Sequence, residues 1–506
     1  MDLTTLNTIL DGISGVIWGP WLLIPLLVGT GLFLTIRLGG LQFLKLGAAL
    51  RLGLGKHKDQ GAEGDISQFQ ALTTALAATV GTGNIVGVAT AIAIGGPGAL
   101  FWMWVTGLVG MASKYSEAFL AVRFRTTDEA GEKSGGPQIY LARGIRGPLG
   151  KGLALAFAIF TVVACFGIGN MTQGNSIASN VEHSWGVPTW LTGVILTLLT
   201  LVVLVGGIKS IGRVTAGFVP VMIVFYVLAG LFILGANIGQ LPAALGQIFG
   251  QAFTGTAAVG GFAGSVIMIA VQMGVARGLF SNESGLGSAA IAAAAAKTTH
   301  PVRQGLVSMT QTFIDTLIVV SITGLTIVVT GVWDDVDAAT GEQLSPALMT
   351  GQAFTHGLPG DWGHWVVTLG LVMFAFSTIL GWSYYGERNV ERLFGRRLVM
   401  PFRVLFALVV YVGCTISLDT VWKFSDIANG LMALPNLIGL LILSGLVVRE
   451  TRHYLKHDPK LEATREEVEA FMADQPGWAD WKAGDAIGTS RIDLSAVAQR
   501  GGAQAP

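Results

Sequence analysis

The sequence predicts an all-α polytopic membrane protein with eleven transmembrane helices, and three observations carry that reading. Only 12% of the 506 residues are charged and 52% are apolar, whereas soluble domains carry about 25% charged residues. Eleven apolar stretches approach the roughly 20 residues that a helix needs to cross a bilayer. The 70 glycines lie within apolar runs and show no G-X-Y period; close-packed membrane helices use glycine in this way. An ordinary soluble enzyme, a collagen and a flexible linker are thereby excluded.

The expected spans are 18–37, 70–95, 99–122, 152–176, 189–207, 214–236, 258–295, 304–333, 364–386, 402–419 and 425–448. No basic segment followed by an apolar core and cleavage site precedes the first, so that span is expected to be its own insertion signal. Lys and Arg accumulate on the cytoplasmic side of membrane proteins. With the N-terminus outside, 28 of the 31 cations fall at inner loops, their flanks and the tail. The exceptions are Lys114 and Arg277 inside spans and Lys423 outside. The loop 334–363 carries Asp334, Asp335, Asp337, Glu342 and Asp361 without Lys or Arg, as an outer loop should. A multi-pass protein of the cytoplasmic or inner cell membrane, with its C-terminus inside, is the expectation. Arg388, Arg392, Arg396, Arg397 and Arg403 read as a stop-transfer anchor, with a lipid-binding or regulatory patch as the alternative.

Four segments follow: 1–69, an extracellular start, first span and cytoplasmic loop; 70–236 and 258–448, five helices each; and a polar tail, 449–506. The tail's Glu462, Arg465, Glu466, Glu467 and Glu469, near Val468 and Phe471, suggest a short amphipathic helix. Zero net charge and the absence of a basic stripe leave no case for a nucleic-acid partner. Cys165 and Cys414 lie in apolar runs and read as packing residues, without disulfide or metal spacing.

Two spans contain features that an uninterrupted helix would not want. Gly81-Thr82-Gly83-Asn84 sits near the middle of span 2; its glycines lower the cost of leaving helical geometry, and Thr and Asn can satisfy freed backbone groups. Span 7 holds Arg277, Asn282 and Glu283, which are expensive in hydrocarbon and must face protein or a water-filled cavity. The breaks lie five spans apart in helices of opposite direction. That is the pattern of an inverted repeat, spans 2–6 against 7–11, with one extra N-terminal helix and a substrate site where the breaks meet.

The run Ala75–Trp104, Gly135-Gly136-Pro137, Ala276–Gly285 (ARGLFSNESG) and Gly381–Glu387 (GWSYYGE) together resemble the alanine or glycine:cation symporter family. The resemblance covers about residues 15–450; Ser284 stands where many relatives carry Ala. It implies a leucine-transporter-like 5+5 fold and sodium-coupled uptake of a small neutral amino acid, alanine or glycine. No covalently bound cofactor is expected; sodium is the coupling ion.

A zwitterion at mid-membrane needs donors for its carboxylate and acceptors for its ammonium. The backbone N–H groups of Gly81, Thr82 and Gly83 and the Asn84 amide suit the carboxylate. Carbonyls freed around Val275–Leu279, including Gly278, suit the ammonium. Phe280 and Trp382 are candidate walls against the substrate methyl group, and Gln173 is placed to reach the substrate. By similarity to the fold, one sodium site uses the carbonyls of Ala77 and Val80 and the hydroxyls of Ser377 and Thr378. Those hydroxyls are equally suited to bonding back to the preceding turn. A second site would use Thr79 and Asn84. Asp315, near mid-span, is expected to ligate a cation or to pair with Arg277. Lys114 and Glu117, one turn apart, are expected to form an intrahelical pair or inner gate.

Other functions fit less well. All seven histidines map to loops or span ends, which excludes an intramembrane serine protease. A channel is the rival from another class, although filters usually come from symmetric subunits. A proton-coupled symporter is the alternative within the class.

Overall fold

The computed structural model describes residues 3–54, 62–254, 263–336, 341, 343–416, 419–473, 475 and 478. Asp337 and Glu342 of the acidic loop, the expected start of the second five-helix segment at 258 and the end of the tail lie outside these residues.

Helix dominates the described residues. The chain opens with α1 (Leu3–Ile17), α2 (Leu23–Arg37), α3 (Leu41–Leu44) and α4 (Leu46–Leu54). The interrupted span 2 follows as α5 (Gln68–Thr79) and α6 (Val88–Gly95), joined through a wide turn at Gly83–Gly87. Next come α7 (Gly98–Arg123), α8 (Pro137–Gly144), α9 (Pro148–Phe166), α10 (Thr172–Trp185), α11 (Thr189–Val205), α12 (Gly207–Ala236) and α13 (Leu241–Thr254). Span 7 becomes α14 (Ala263–Asn282) and α15 (Ala290–Ala294). The remainder is α16 (Pro301–Thr312), α17 (Ser321–Thr330), α18 (Pro346–Gly357), α19 (Gly363–Phe394), α20 (Val399–Thr415), α21 (Asp419–His457) and α22 (Arg465–Met472). A two-stranded hairpin pairs Thr126–Thr127 with Lys133–Ser134.

Local chemistry sets several boundaries. Ser67 and Gln70 form a reciprocal capping box at the start of α5. Proline occupies the first turn of α8, α9, α16 and α18, where its missing N–H has no helical partner to lose. Gly331, with φ of 79°, ends α17 in a left-handed turn. The tail helix is α22, started by a Thr464–Glu467 capping box.

Among the described residues helix lies within each of the eleven expected stretches, but length and hydropathy support a smaller number of clear spans. Among the described residues six helical segments are long and apolar enough to cross a membrane, or seven counting α5 and α6 as one span bent by 54°. Leu23–Arg37 and Thr189–Val205 are apolar but shorter. Charge accounts for part of the shortfall: α7 buries Lys114, Glu117 and Arg123 against its neighbours. It is central to the bundle and packs on α2, α14 and α16, while α19 packs on α5, α9, α10 and α12. Between them α14 meets α6 and the Gly83–Gly87 turn, bringing the two interrupted spans together.

The position of the second interruption differs from expectation. α14 continues through Gly274 and Gly278 to Asn282. The chain leaves helical geometry at Glu283, Gly285 and Gly287, with φ of 55°, 91° and 82°. Gly274 and Gly278 serve close packing instead: a Cβ at Gly278 would sit 2.5 Å from Thr106 Oγ1, and one at Gly274 would meet Ala99 and Trp102.

Candidate functional site

The first break is held open by its own side chain. Asn84 Oδ1 accepts from Gly81 N at 2.9 Å, satisfying a donor that the helix abandons. Asn84 Nδ2 donates to Asp315 Oδ1 at 2.8 Å. The other Asp315 oxygen accepts from Ser281 Oγ and Thr316 Oγ1, both at 2.9 Å. One buried carboxylate thus links the break in span 2 to the end of α14 and to span 8. Gln173 Oε1 accepts from Thr82 N at 3.3 Å, and its amide donates to Ile168 O at 2.9 Å. The Thr82 hydroxyl is buried without a hydrogen-bond partner, and Thr82 also lines the cavity beside the break.

Glycine is required here by close approach. A Cβ at Gly81 would collide with Thr378 Oγ1, and one at Gly83 would lie 3.0 Å from Phe280 and 3.1 Å from Ser281 Cα. A cavity of about 610 Å³ is lined by Thr82, Gly87, Phe280 and, farther along, Arg277, Lys423 and Asp426. A second cavity, of about 670 Å³, shares Asn180 and Ala347 with it and reaches Asp335 and Asp361. The two cavities are therefore neighbours, and the second is lined by the acidic residues Asp335 and Asp361.

Beside the break, Ala77 O accepts from Ser377 Oγ at 3.2 Å and Thr378 Oγ1 at 3.1 Å, with Val80 O 3.5 Å from Thr378 Oγ1. Both hydroxyls also bond back to Phe374 O, at 2.8 and 3.1 Å. The two readings of Ser377 and Thr378 coexist: the back-bond orients hydroxyls that reach across to span 2. These four oxygens are the hard donors that a small cation takes.

Several expected placements change. Arg277 does not meet Asp315; it pairs with Asp426 at 3.7 Å and lies 5.8 Å over the Phe280 ring. The cause is direction: Arg277 points into the cavity, while Asp315 faces the protein interior among hydroxyl and amide donors. Gly278, facing Thr106, offers no freed carbonyl because α14 has not yet ended. Thr79 turns its hydroxyl back to Ala75 O at 3.0 Å, within its own helix. Trp382 is buried over Gly169, where a Cβ would strike the indole, and packs edge-on to Tyr385; Phe280 lines the cavity. Lys114 and Glu117 do approach, at 4.0 Å.

Residues passed over in the sequence include Ser281 and Thr316, which bind Asp315, and Trp422 and Asp426, which line the cavity beside Phe280. Asn436, a polar residue within the apolar run 425–448, was a visible signal. At the cationic end Arg388 is buried and bonds Asp128 Oδ2 at 2.8 Å and Glu391 Oε2 at 2.9 Å. It ties the hairpin to α19 and presents no patch to a membrane surface. Burial opposes ionisation of Asp128, but the Glu132 backbone N–H and the Arg388 guanidinium outweigh it and hold the carboxyl below its ordinary range.

A helical membrane bundle whose two interrupted helices meet beside a cavity belongs to the class of secondary transporters. The fold resembles that of MhsT in its complex with L-phenylalanine, with a TM-score of 0.53 and 12% identity, covering 78% of this chain and 99% of that one. A sequence model of the sodium:alanine symporter family matches residues 3–469, and the chain belongs to that family. It is similar to the sodium/alanine symporter AgcS of Methanococcus maripaludis, 53% identical over 449 residues, 88% of this chain and 97% of that one. It also resembles the probable sodium/glutamine symporter GlnT of Bacillus subtilis, 34% identical over 89% of this chain and 92% of that one. The protein is a transporter and not an enzyme.

Proposed function

We infer that the chain takes up alanine or glycine together with sodium by alternating access. The observation that carries this reading is the Gly81–Asn84 break, with its unpartnered Thr82 hydroxyl, opposite Phe280 in the 610 Å³ cavity. The substrate carboxylate lies against the N–H groups of Gly81, Thr82 and Gly83, displacing the Asn84 and Gln173 side-chain oxygens to which Gly81 N and Thr82 N now donate. Phe280 stands against the small side chain, and a larger one would collide with that ring. The ammonium is received by carbonyls at the end of α14, one turn later than Val275–Leu279.

Sodium is held by Ala77 O, Val80 O, Ser377 Oγ and Thr378 Oγ1. A second cation position lies at Asp315, whose carboxylate now accepts from Asn84 Nδ2 and Ser281 Oγ and would exchange the Asn84 nitrogen for the cation. Placing the arginine-rich end in the cytoplasm puts the N-terminus outside, the cavity outward and the Arg388 cluster on the closed inner side. The five-plus-five inverted repeat, 70–236 against 258–448, with a helix in front makes eleven spans and accounts for two broken helices of opposite direction.

Purified protein in vesicles tests the reading. Labelled alanine should accumulate under an inward sodium gradient and saturate in both solutes. Replacing sodium with choline at fixed pH should stop it; unchanged uptake would assign the coupling to protons. Conductance without substrate coupling would make the protein a channel.

A further inference from the structure

The second interruption leaves polar backbone inside the bundle, and two helices that are themselves unbroken there supply its partners. Lys114 and Glu117 lie three residues apart on α7 and face the same side. Lys114 Nζ donates to Glu283 O at 3.0 Å, at the C-terminal end of the 20-residue α14. A cation there complements the negative end of the helix dipole. Glu117 Oε1 accepts from Gly287 N at 3.1 Å and from Asn436 Nδ2 at 2.8 Å. Asn436 Nδ2 also donates to Gly285 O at 2.8 Å, and Asn436 Oδ1 accepts from the Tyr140 hydroxyl. All three side chains are buried.

The distances separate a positioning device from an ion pair formed for its own sake. Lys114 and Glu117 are 4.0 Å apart, while each makes its shorter bond to the backbone of the interruption. The segment they grip includes Glu283, a non-glycine residue at φ of 55°, a conformation that persists only where the surroundings impose it. It begins two residues after Ser281, which bonds Asp315, and three after Phe280, which faces Gly83.

We propose that Lys114, Glu117 and Asn436 are positioning residues that hold the interruption of span 7 in the shape required to bind alanine and sodium. They act through the backbone of Glu283, Gly285 and Gly287 and touch neither solute. The proposal rests on the transport reading above.

The test measures sodium-dependent binding of labelled alanine and thermal unfolding of the purified full chain. Lys114→Met and Glu117→Leu each strand a buried charge and lower both quantities. The double variant removes both charges, and buried pairs are often replaced by apolar residues without loss of stability. Its melting temperature should therefore recover in part, Glu283 O and Gly287 N having lost these partners, while alanine affinity stays at least about tenfold weaker through the loss of both bonds that hold the interruption. A double variant that melts and binds like the wild type overturns the proposal. Lys114→Arg retains a cationic donor and should bind more tightly than Lys114→Met; equal affinity overturns the assigned role of Lys114, even if the double variant does not fold. Absence of sodium-dependent alanine binding by the wild type would instead refute the transport reading.

Discussion

The two interrupted spans solve one physical problem in different ways. Span 2 opens at Gly81–Gly83, where Asn84 caps Gly81 N from only three residues away and Gln173 of span 4 accepts from Thr82 N. Span 7 opens at Glu283–Gly287 and borrows its partners from α7 and α21, at Lys114, Glu117 and Asn436. A break whose N–H groups are capped by side-chain amide oxygens has donors that a solute can take over. A break whose backbone is held from behind presents a fixed wall. The first is suited to exchanging partners with a solute, and the second to setting the distance across the site.

Removing the cap of the first break should have the largest effect. Asn84→Ala deletes the partner of Gly81 N and of Asp315, and alanine uptake in vesicles should fall to background at normal expression. Uptake near the wild-type level would show that span 2 holds its shape without Asn84. Glycine substitutions sharpen the comparison next. Gly81→Ala drives a methyl into Thr378 Oγ1 and should raise the half-saturating concentrations of both sodium and alanine. Gly278→Ala meets Thr106 and Met103 and should destabilise by about 1–3 kcal/mol through overpacking, read as a lower melting temperature with sodium affinity retained. A selective loss of alanine affinity in Gly278→Ala would return that glycine to the site.

Arg277 gives a smaller effect. Its pair with Asp426 is a quarter exposed on the arginine side and a fifth on the aspartate side, and exposed pairs contribute about 0–1 kcal/mol. Asp426→Asn should therefore change alanine affinity less than about fivefold, read by uptake at several alanine concentrations. A loss of several hundredfold would mean that this pair is part of the site. The smallest effect concerns pH at the hairpin. The Asp128 carboxyl is held below its ordinary value of 3.8, so the stability it contributes is present above that value and is lost as pH falls through the lower folded one. Between pH 5 and 8 the hairpin contact should be constant, and Arg388→Met should reduce the acid-side loss in a melting-temperature profile, with the Glu132 and Ala130 backbone bonds and Arg396 retaining the rest.

Particular residues show what was legible before the fold was known. Gly81, Thr82, Gly83 and Asn84 announce the first break because two glycines and two small polar residues have no reason to occupy the centre of an apolar run. The second break was legible as a region but not as a position. The carbonyls around Gly278 read as freed, yet a helical glycine marks close approach as readily as a break, and only the neighbouring helix distinguishes the two. Asp315 was visible as an intramembrane charge, but its partner was not, because pairing depends on how helices are rotated about their axes. Trp382 likewise reads as a wall from its motif, whereas in the fold its ring covers Gly169.

The sequence by itself determined the membrane class, the cation-poor acidic loop, the interrupted character of span 2 and the family, because composition and contiguous motifs are local properties of the chain. Tertiary structure decided which carboxylate meets Arg277, where span 7 opens and why Lys114 and Glu117 lie inside the bundle. Those outcomes depend on residues between about 30 and 320 positions apart brought within hydrogen-bond reach, and a one-dimensional pattern carries no information about the rotation of one helix against another.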